Sequence, residues 1–414
     1  MCSFNSLLVT PVSPDGRTKF ILLPMMVCIL ALMSSGCAGF NRITNLAGGN
    51  GIGDEFRVVC STYTLKQGAV SHAKIVPFST NRIVVTYFAS EGQEGKSGRM
   101  ACDWPAYSDD EGKTWQYGDP FIWKDGKPKH IVAVTSQQVV VRNEGHYGYF
   151  FGFTIMSNNN RYASEFLVRI SKDGRYLGKA VASEGGNEWT GPFEVEFKMP
   201  DGIRPGFLVL PARGIETKDG HIGMVMYGRI DKKYATYYLV SSDKGRTFDY
   251  RSTVATISNA PWGAEGPCEA AVIELSSGEL LCMMRTGSGA YGNFGKSMLE
   301  SRSKDGGFIW KSQKTTIGGV MPKLLKAENG NLYMLYGRPG NELAVSRNEG
   351  HSWSTIGSMS PADYHTSGYV DGVEISGGRF LVVYDRWQQT TQKVWLWEPP
   401  AAVNCIMGRY VQIK

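Results

Sequence analysis

Six stretches of the chain share one pattern, a few polar turn residues followed by an apolar run. They are Ser79-Thr80-Asn81 before Ile83–Phe88, Asn143-Glu144-Gly145 before Tyr147–Phe153, and Lys218-Asp219-Gly220 before Ile222–Tyr227. Ser276-Ser277-Gly278 precedes Leu280–Met284, Glu328-Asn329-Gly330 precedes Leu332–Tyr336, and Ser376-Gly377-Gly378 precedes Phe380–Tyr384. Short apolar runs bounded by turn formers predict strands, and the lack of polar alternation predicts that both faces are covered.

A second pattern sits between these units. Ser108-Asp109-Asp110-Glu111-Gly112-Lys113-Thr114-Trp115 returns as Ser241-Ser242-Asp243-Lys244-Gly245-Arg246-Thr247-Phe248 and as Ser303-Lys304-Asp305-Gly306-Gly307-Phe308-Ile309-Trp310. A fourth copy, Ser346-Arg347-Asn348-Glu349-Gly350-His351-Ser352-Trp353, has Asn for Asp, and Ser171-Lys172-Asp173-Gly174 is a worn fifth. The pattern Ser-x-Asp-x-Gly-x-x-aromatic describes a hairpin turn. The Asp accepts bonds from turn amides, Gly takes the positive-φ position, and the aromatic opens the next strand by entering the core. Recurrence at this spacing marks a repeated β unit.

The octet resembles the Asp box of the sialidase (neuraminidase) superfamily, also known for its BNR repeats. The resemblance implies an all-β fold, a six-bladed β-propeller of four-stranded antiparallel blades, with the box a structural device away from the active site. The units agree with six blades: each of the first five is followed by a box or its relic, and the sixth by none. The strand the last blade lacks is expected from Phe56–Tyr63, closing the ring. Residues 55–414 then form one domain, and residues 38–54, rich in Gly and Asn, read as a tether.

Composition supports a turn-rich β protein: 414 residues with 42% apolar and 12% aromatic content, 50 Gly and 18 Pro. A net charge of +6 without a Lys or Arg run gives nucleic-acid binding no support. Residues 1–37 have the form of an export signal. Arg17 and Lys19 precede an apolar run from Phe20 to Met33, and Ser34-Ser35-Gly36-Cys37 resembles a bacterial lipoprotein cleavage site. The expected location is periplasmic, outer-membrane lipoprotein or secreted, with membrane contact only through a lipid on Cys37. Apart from Cys2 and Cys28 in that segment, Cys37, Cys60, Cys102, Cys268, Cys282 and Cys405 are scattered, without a CxxC pair or a zinc or haem signature.

In a propeller, the inner strands converge on one central pocket, so the residues flanking the six hairpins are the ones to search. In Glu265-Gly266-Pro267-Cys268-Glu269 through Arg285, the turn lies midway, so Glu269 and Arg285 emerge on one rim. The stretch resembles the sialidase segment with a catalytic glutamate and a carboxylate-binding arginine. Tyr369, opening the hairpin Tyr369-Val370-Asp371-Gly372, resembles the sialidase nucleophile. Tyrosine suits an anomeric carbon that bears a carboxylate, which would repel an anionic nucleophile. Its high pKa then calls for a base, the role the resemblance gives Glu269. Arg338, after the fifth apolar run, resembles a second carboxylate-binding arginine.

The first blade departs from the family pattern. His72 stands where sialidases carry the arginine of Arg-Ile-Pro, and Arg57 is not followed by a hairpin at the right distance. The loop where the acid/base aspartate is expected holds Glu91 and Glu94, and Glu94 is assigned the acid role, with Asp103 further on. Arg204, Arg213, His146, His365 and Asp371 are further polar residues with access to the pocket.

Three functions fit these residues. One is an exported, exo-acting, sialidase-like glycoside hydrolase releasing sialic acid or a related acidic sugar from glycan ends. Another is a hydrolase or lyase on uronate-containing polysaccharide, with His72, His130 or His146 moving protons. A third is a glycan-binding propeller without turnover. None of them calls for a metal or a cofactor.

Overall fold

The computed structural model describes residues 51–60, 69–77, 82–90, 106–117, 153–156, 163–169, 177–182, 189–194, 196–200, 203, 214–230, 232–243, 246–287, 296–338, 340–360, 366–387 and 404–412. Those residues are all-β, with 26 strands in six sheets and two single 3-10 turns. None of their helices is long and apolar enough to cross a membrane.

In chain order, β1 (Gly51–Ile52) and β2 (Phe56–Cys60) come before the first complete sheet. That first sheet is β3 (Ala69–Pro77), β4 (Ile83–Ser90), β5 (Ala106–Ser108) and β6 (Gln116–Tyr117). The second is β7 (Phe153–Met156), β8 (Ala163–Arg169), β9 (Leu177–Ala182) and β10 (Trp189–Glu194). The third holds β11 (Glu196–Lys198), β12 (Ile215–Glu216), β13 (Ile222–Ile230), β14 (Lys233–Ser241) and β15 (Thr247–Ala255). The fourth is β16 (Cys268–Glu274), β17 (Leu280–Arg285), β18 (Ser297–Ser303) and β19 (Lys311–Gly318). The fifth is β20 (Val320–Lys326), β21 (Leu332–Gly337), β22 (Asn341–Ser346) and β23 (Ser354–Ser358). The sixth is β24 (Val370–Ile375), β25 (Arg379–Trp387) and β26 (Asn404–Gln412), completed by β1 and β2, which both pair with β26. Neighbours are antiparallel, except that β11 runs parallel to β15.

The strand expected to complete the last sheet is therefore β2, and the sheet reaches further back than expected. Gly51 and Ile52, inside the stretch read as a tether, pair with Gln412 and Val411, and the amide of Gly53 donates to the Tyr410 carbonyl at 2.8 Å.

The apolar runs are buried on both faces, and strand alternation divides each between two cores. In β17, Leu280, Cys282 and Met284 pack with Val225, Tyr238 and Val240 of the third sheet. Leu281 and Met283 point the other way, onto Leu324, Leu332 and Met334 of the fifth. In β25, Phe380, Val382 and Tyr384 meet Tyr333 and Leu335 of the fifth sheet, while Leu381 and Val383 meet Ile75, Val85 and Tyr87 of the first. Sheets three, four, five, six and one thus stack face to face in that order. Each fully buried side chain of this kind contributes about 1.5–3 kcal/mol.

The octets form the turns their sequence predicts, and they also join sheets. In the first, Asp110 Oδ1 accepts from the Thr114 amide at 2.8 Å and Ser108 Oγ accepts from the Gly112 amide at 2.8 Å. Asp243, Asp305 and Asn348 accept the matching bond from Thr247, Ile309 and Ser352 at 2.9, 3.0 and 2.9 Å. The residue before the box glycine is also left-handed, with φ of 61° at Glu111 and 55° at Glu349. This extra turn aims Glu111 at the sixth sheet's hairpin, where it accepts from the Ser376 amide at 2.9 Å. Glu349 likewise accepts from the Ser277 amide of the fourth sheet at 3.2 Å. A Cβ on Gly112, Gly307 or Gly350 would lie 2.6, 2.4 or 2.7 Å from Leu381, Tyr238 or Leu281 of the neighbouring sheet. Glycine is required at these positions by both the dihedral and the close contact.

Candidate active site

At the opposite end of the hairpins, three inner strands carry a bulge at the same place. Pairing skips between Ser71 and Lys74 in β3, between Cys268 and Ala271 in β16, and between Val320 and Lys323 in β20. The residues inside the skips include His72, Glu269 and Met321, and the last two hold φ of 43° and 52°. A left-handed glutamate costs about 1–3 kcal/mol and persists only where its surroundings enforce it. Bulges re-aim side chains, and here the side chain re-aimed is a carboxylate.

Glu269 is 5% exposed and its Oε1 accepts two bonds. One comes from Arg285 Nη1 at 2.7 Å and the other from the Tyr369 hydroxyl at 2.8 Å. The charges at the two ends of the β16–β17 hairpin therefore form a buried ion pair, joined by a phenol from β24's start, 100 residues on. Arg285 is held by three acceptors. Besides Glu269, its Nη2 donates to Glu265 Oε2 at 2.9 Å and its Nε to the Gly287 carbonyl at 2.6 Å.

Arg338 is 3% exposed and left-handed, with φ of 61°. Its Nε donates to the Ser367 carbonyl at 3.0 Å and its guanidinium carbon lies 5.8 Å from the centre of the Tyr369 ring. The backbones of Gly337 and Gly368 pass so closely that a Cβ on Gly337 would fall 1.7 Å from the Gly368 carbonyl. Met321 packs on Tyr369 from the fifth sheet.

Electrostatics separates the roles of the pair. Burial pushes the Glu269 carboxyl up, but the Arg285 and Arg338 guanidiniums and the two hydrogen bonds outweigh it, leaving the group below its usual range. Burial and the Glu269 charge push the Tyr369 phenol well above its usual value. At neutral pH Tyr369 is a neutral donor and Glu269 an ionised acceptor, 2.8 Å apart. The second Glu269 oxygen, Oε2, is buried without a hydrogen-bond partner.

Of the residues singled out from sequence, Glu269, Arg285, Arg338 and Tyr369 come together. His72 occupies its register position in β3, and Asp371, fully buried, accepts from the Ile75 amide at 3.3 Å as a link between sheets. Glu91, Glu94, Asp103, His130, His146, Arg204, Arg213, His365 and Cys37 lie outside the described residues. Arg57 is exposed on β2. Among the described residues no cluster of three His, Cys, Asp or Glu is placed to hold a metal.

Sequence reading missed three contributors. Glu265 lies in the loop before β16 and gave no periodic signal. Tyr227 and Asp385 follow their hairpin glycines, 220 and 378, by the same seven residues that separate Gly278 from Arg285, and that register would have found them. Tyr227 is buried with Cys268 beneath Glu269 and its phenol is raised by burial and by the Glu269 charge. Asp385 is fully buried and accepts from Thr366 Oγ1 at 3.0 Å, Ser367 Oγ at 2.8 Å and the Ser367 amide at 3.2 Å. Through Ser367 it fixes the turn that presents Tyr369 and gives Arg338 its carbonyl acceptor.

A family profile described as a BNR repeat-like domain matches residues 153–382. The chain belongs to this family. No curated protein matches it in sequence. Among solved structures, the BNR repeat-like chain is similar to an unknown-function protein from Dyadobacter fermentans, at 16% identity and TM-score 0.59 over 88% of this chain and 100% of that one. It is also similar to the Hadza microbial sialidase Hz136, at 16% identity and TM-score 0.56 over 86% and 68% of the two chains. Trypanosoma rangeli sialidase, solved with the inhibitor DANA, matches at 14% identity and TM-score 0.53 over 83% of this chain and 55% of its own. The BNR repeat-like chain thus has the sialidase fold and spans about half the length of the trypanosomal protein.

Proposed function

We propose that this protein is an exported, exo-acting glycoside hydrolase of the sialidase type. Its six sheets are the blades of a closed propeller, and its substrate is a glycan ending in sialic acid or a related acidic sugar. The observation that carries the reading is the 2.8 Å bond from the Tyr369 hydroxyl to Glu269, between two buried guanidiniums. In the proposed reaction Tyr369 Oη attacks the anomeric carbon and its proton passes to Glu269 Oε1, while the glycosidic bond breaks and the leaving oxygen takes a proton from an acid, the role assigned to Glu94. Water then attacks the anomeric carbon, giving its proton to the carboxylate of the residue that served as acid, while the glycosyl–tyrosine bond breaks and Glu269 returns its proton to the phenolate. Arg285 and Arg338 receive the sugar's carboxylate.

The test is release of fluorophore from an α-linked sialoside. Turnover by the wild type, reduced about 10³-fold or more in Tyr369→Phe, is the expected result. No turnover at high enzyme concentration sinks it.

One observation favours a second reading. His72 holds in β3 the bulge position that Glu269 holds in β16. Histidine-based proton transfer on a uronate polysaccharide would show as release of unsaturated uronate that depends on His72.

A further inference from the structure

Arg285 offers its outer edge, Nη1 and Nη2, to two carboxylates at once, Glu269 at 2.7 Å and Glu265 at 2.9 Å. A ligand carboxylate docks on a guanidinium most strongly by taking both nitrogens of one edge. With both glutamates in place that edge is divided between them. The two partners are not held alike. Glu269 sits in a strand, its side chain 6% exposed, and its Oε1 also accepts from Tyr369. Glu265 sits in the loop before β16, its side chain 29% exposed, and its one side-chain bond is to Arg285. Its backbone is fixed: the carbonyl accepts from the Tyr234 amide at 2.7 Å, and a Cβ on Gly266 would strike the Tyr234 carbonyl oxygen at 2.3 Å. The side chain can therefore turn away without moving the loop.

Charge bookkeeping points the same way. Among the described residues, two guanidiniums, Arg285 and Arg338, face two carboxylates, Glu265 and Glu269, and the four balance. A third carboxylate leaves an uncompensated negative charge in a buried site unless one departs or takes a proton. The Arg338 terminal nitrogens have no hydrogen bond to any described residue, so one guanidinium edge is ready while the other is engaged.

We propose that Glu265 is a specificity-determining residue that competes with the substrate's carboxylate for Arg285, so that an acidic sugar binds by displacing the Glu265 side chain. This rests on the carboxylate-clamp reading above. Glu265 is faced by Arg285, Glu269 and Arg338 and by Tyr234 and Cys268. Burial and the Glu269 charge raise its carboxyl above the usual range against the pull of Arg285. Protonated, it no longer competes as an anion, so acidic-sugar binding takes up a proton and tightens as pH falls. A neutral sugar gains nothing from the exchange.

The experiment is calorimetric titration of the full chain with DANA and, separately, with D-glucuronate between pH 5 and pH 7.5. Wild type and Glu265→Gln are compared, with Glu265→Ala as the second variant. The competitor role predicts DANA affinity falling about tenfold across that range for wild type, and a flat profile for Glu265→Gln, about tenfold tighter at pH 7.5. A merely structural role for Glu265 predicts the opposite sign: Arg285 loses its support and both variants bind more weakly. That result, or an unchanged pH slope in Glu265→Gln, overturns the proposal while leaving the hydrolase reading standing. Glucuronate bound in the Glu265-dependent way with DANA ignored keeps the competition and removes the sialidase reading. No acidic sugar bound by any form overturns both.

Discussion

The two ends of each hairpin are built by different means. At the turn end, an octet bonds to itself across four residues, Asp110 to Thr114 or Asn348 to Ser352, and then clips the neighbouring sheet through one glutamate. At the other end, one strand length away, the site is assembled from charges and a phenol donated by the fourth, fifth and sixth sheets. At the turn end glycine takes most of the left-handed positions, and the left-handed Glu111 and Glu349 are each tied to a neighbouring sheet by a hydrogen bond. The site end places glutamate and arginine in such positions, at φ of 43° and 61°. The turn end is held by bonds that recur with the sequence, the site end by charges and a phenol that do not.

The comparison breaks most visibly at Glu269. Glu269→Gln keeps the shape of the side chain and removes the proton acceptor, so kcat should fall by about 10²–10⁴-fold, read with whichever glycoside the enzyme turns over. If kcat changes less than tenfold, the site end is structural and the contrast fails. A smaller and opposite effect is expected at the turn end. Gly350→Ala forces a Cβ to 2.7 Å from Leu281 at φ of 82°, and should lower unfolding stability by about 3 kcal/mol while leaving catalysis at low temperature within about twofold. Urea unfolding and kinetics on one preparation check both halves.

The finest probe is Asp385. Burial raises its carboxyl from the ordinary 3.8 to about 6, so the folded state holds a proton that the unfolded state has released between those values. Protonation favours the fold, and wild type should lose about 2 kcal/mol relative to Asp385→Asn on going from pH 4.5 to pH 7. Equal slopes for the two proteins would show that Asp385 titrates as an ordinary carboxyl.

These ends also differ in how far the sequence revealed them. The octets were legible because every bond that shapes them lies within a few residues, and the apolar runs because a strand buried on both faces cannot afford polar positions. Glu269 and Tyr369 were found because each opens a hairpin that resembles a sialidase segment, and both precede their hairpin glycine, 278 or 378, by nine residues. What the sequence hid was the role of each octet as a clip between sheets, since nothing in Glu111 names Ser376 as its partner. It also hid the division of Arg285 between two glutamates, because a loop carboxylate four residues before Glu269 has no period to betray it.

The sixth sheet has a consequence for the order in which the molecule is made. Its β26 pairs with β1 and β2, and Glu55 is bonded to Tyr384 and Arg386, contacts that span 329 and 331 residues of chain. Such distant pairings form slowly and late. The same sheet carries Asp385 and places Tyr369. A partly synthesised chain can therefore stack its third, fourth and fifth sheets and still lack Tyr369 beside Glu269. The enzyme proposed here would be inert until residues 404–412 arrive and join the strands made first.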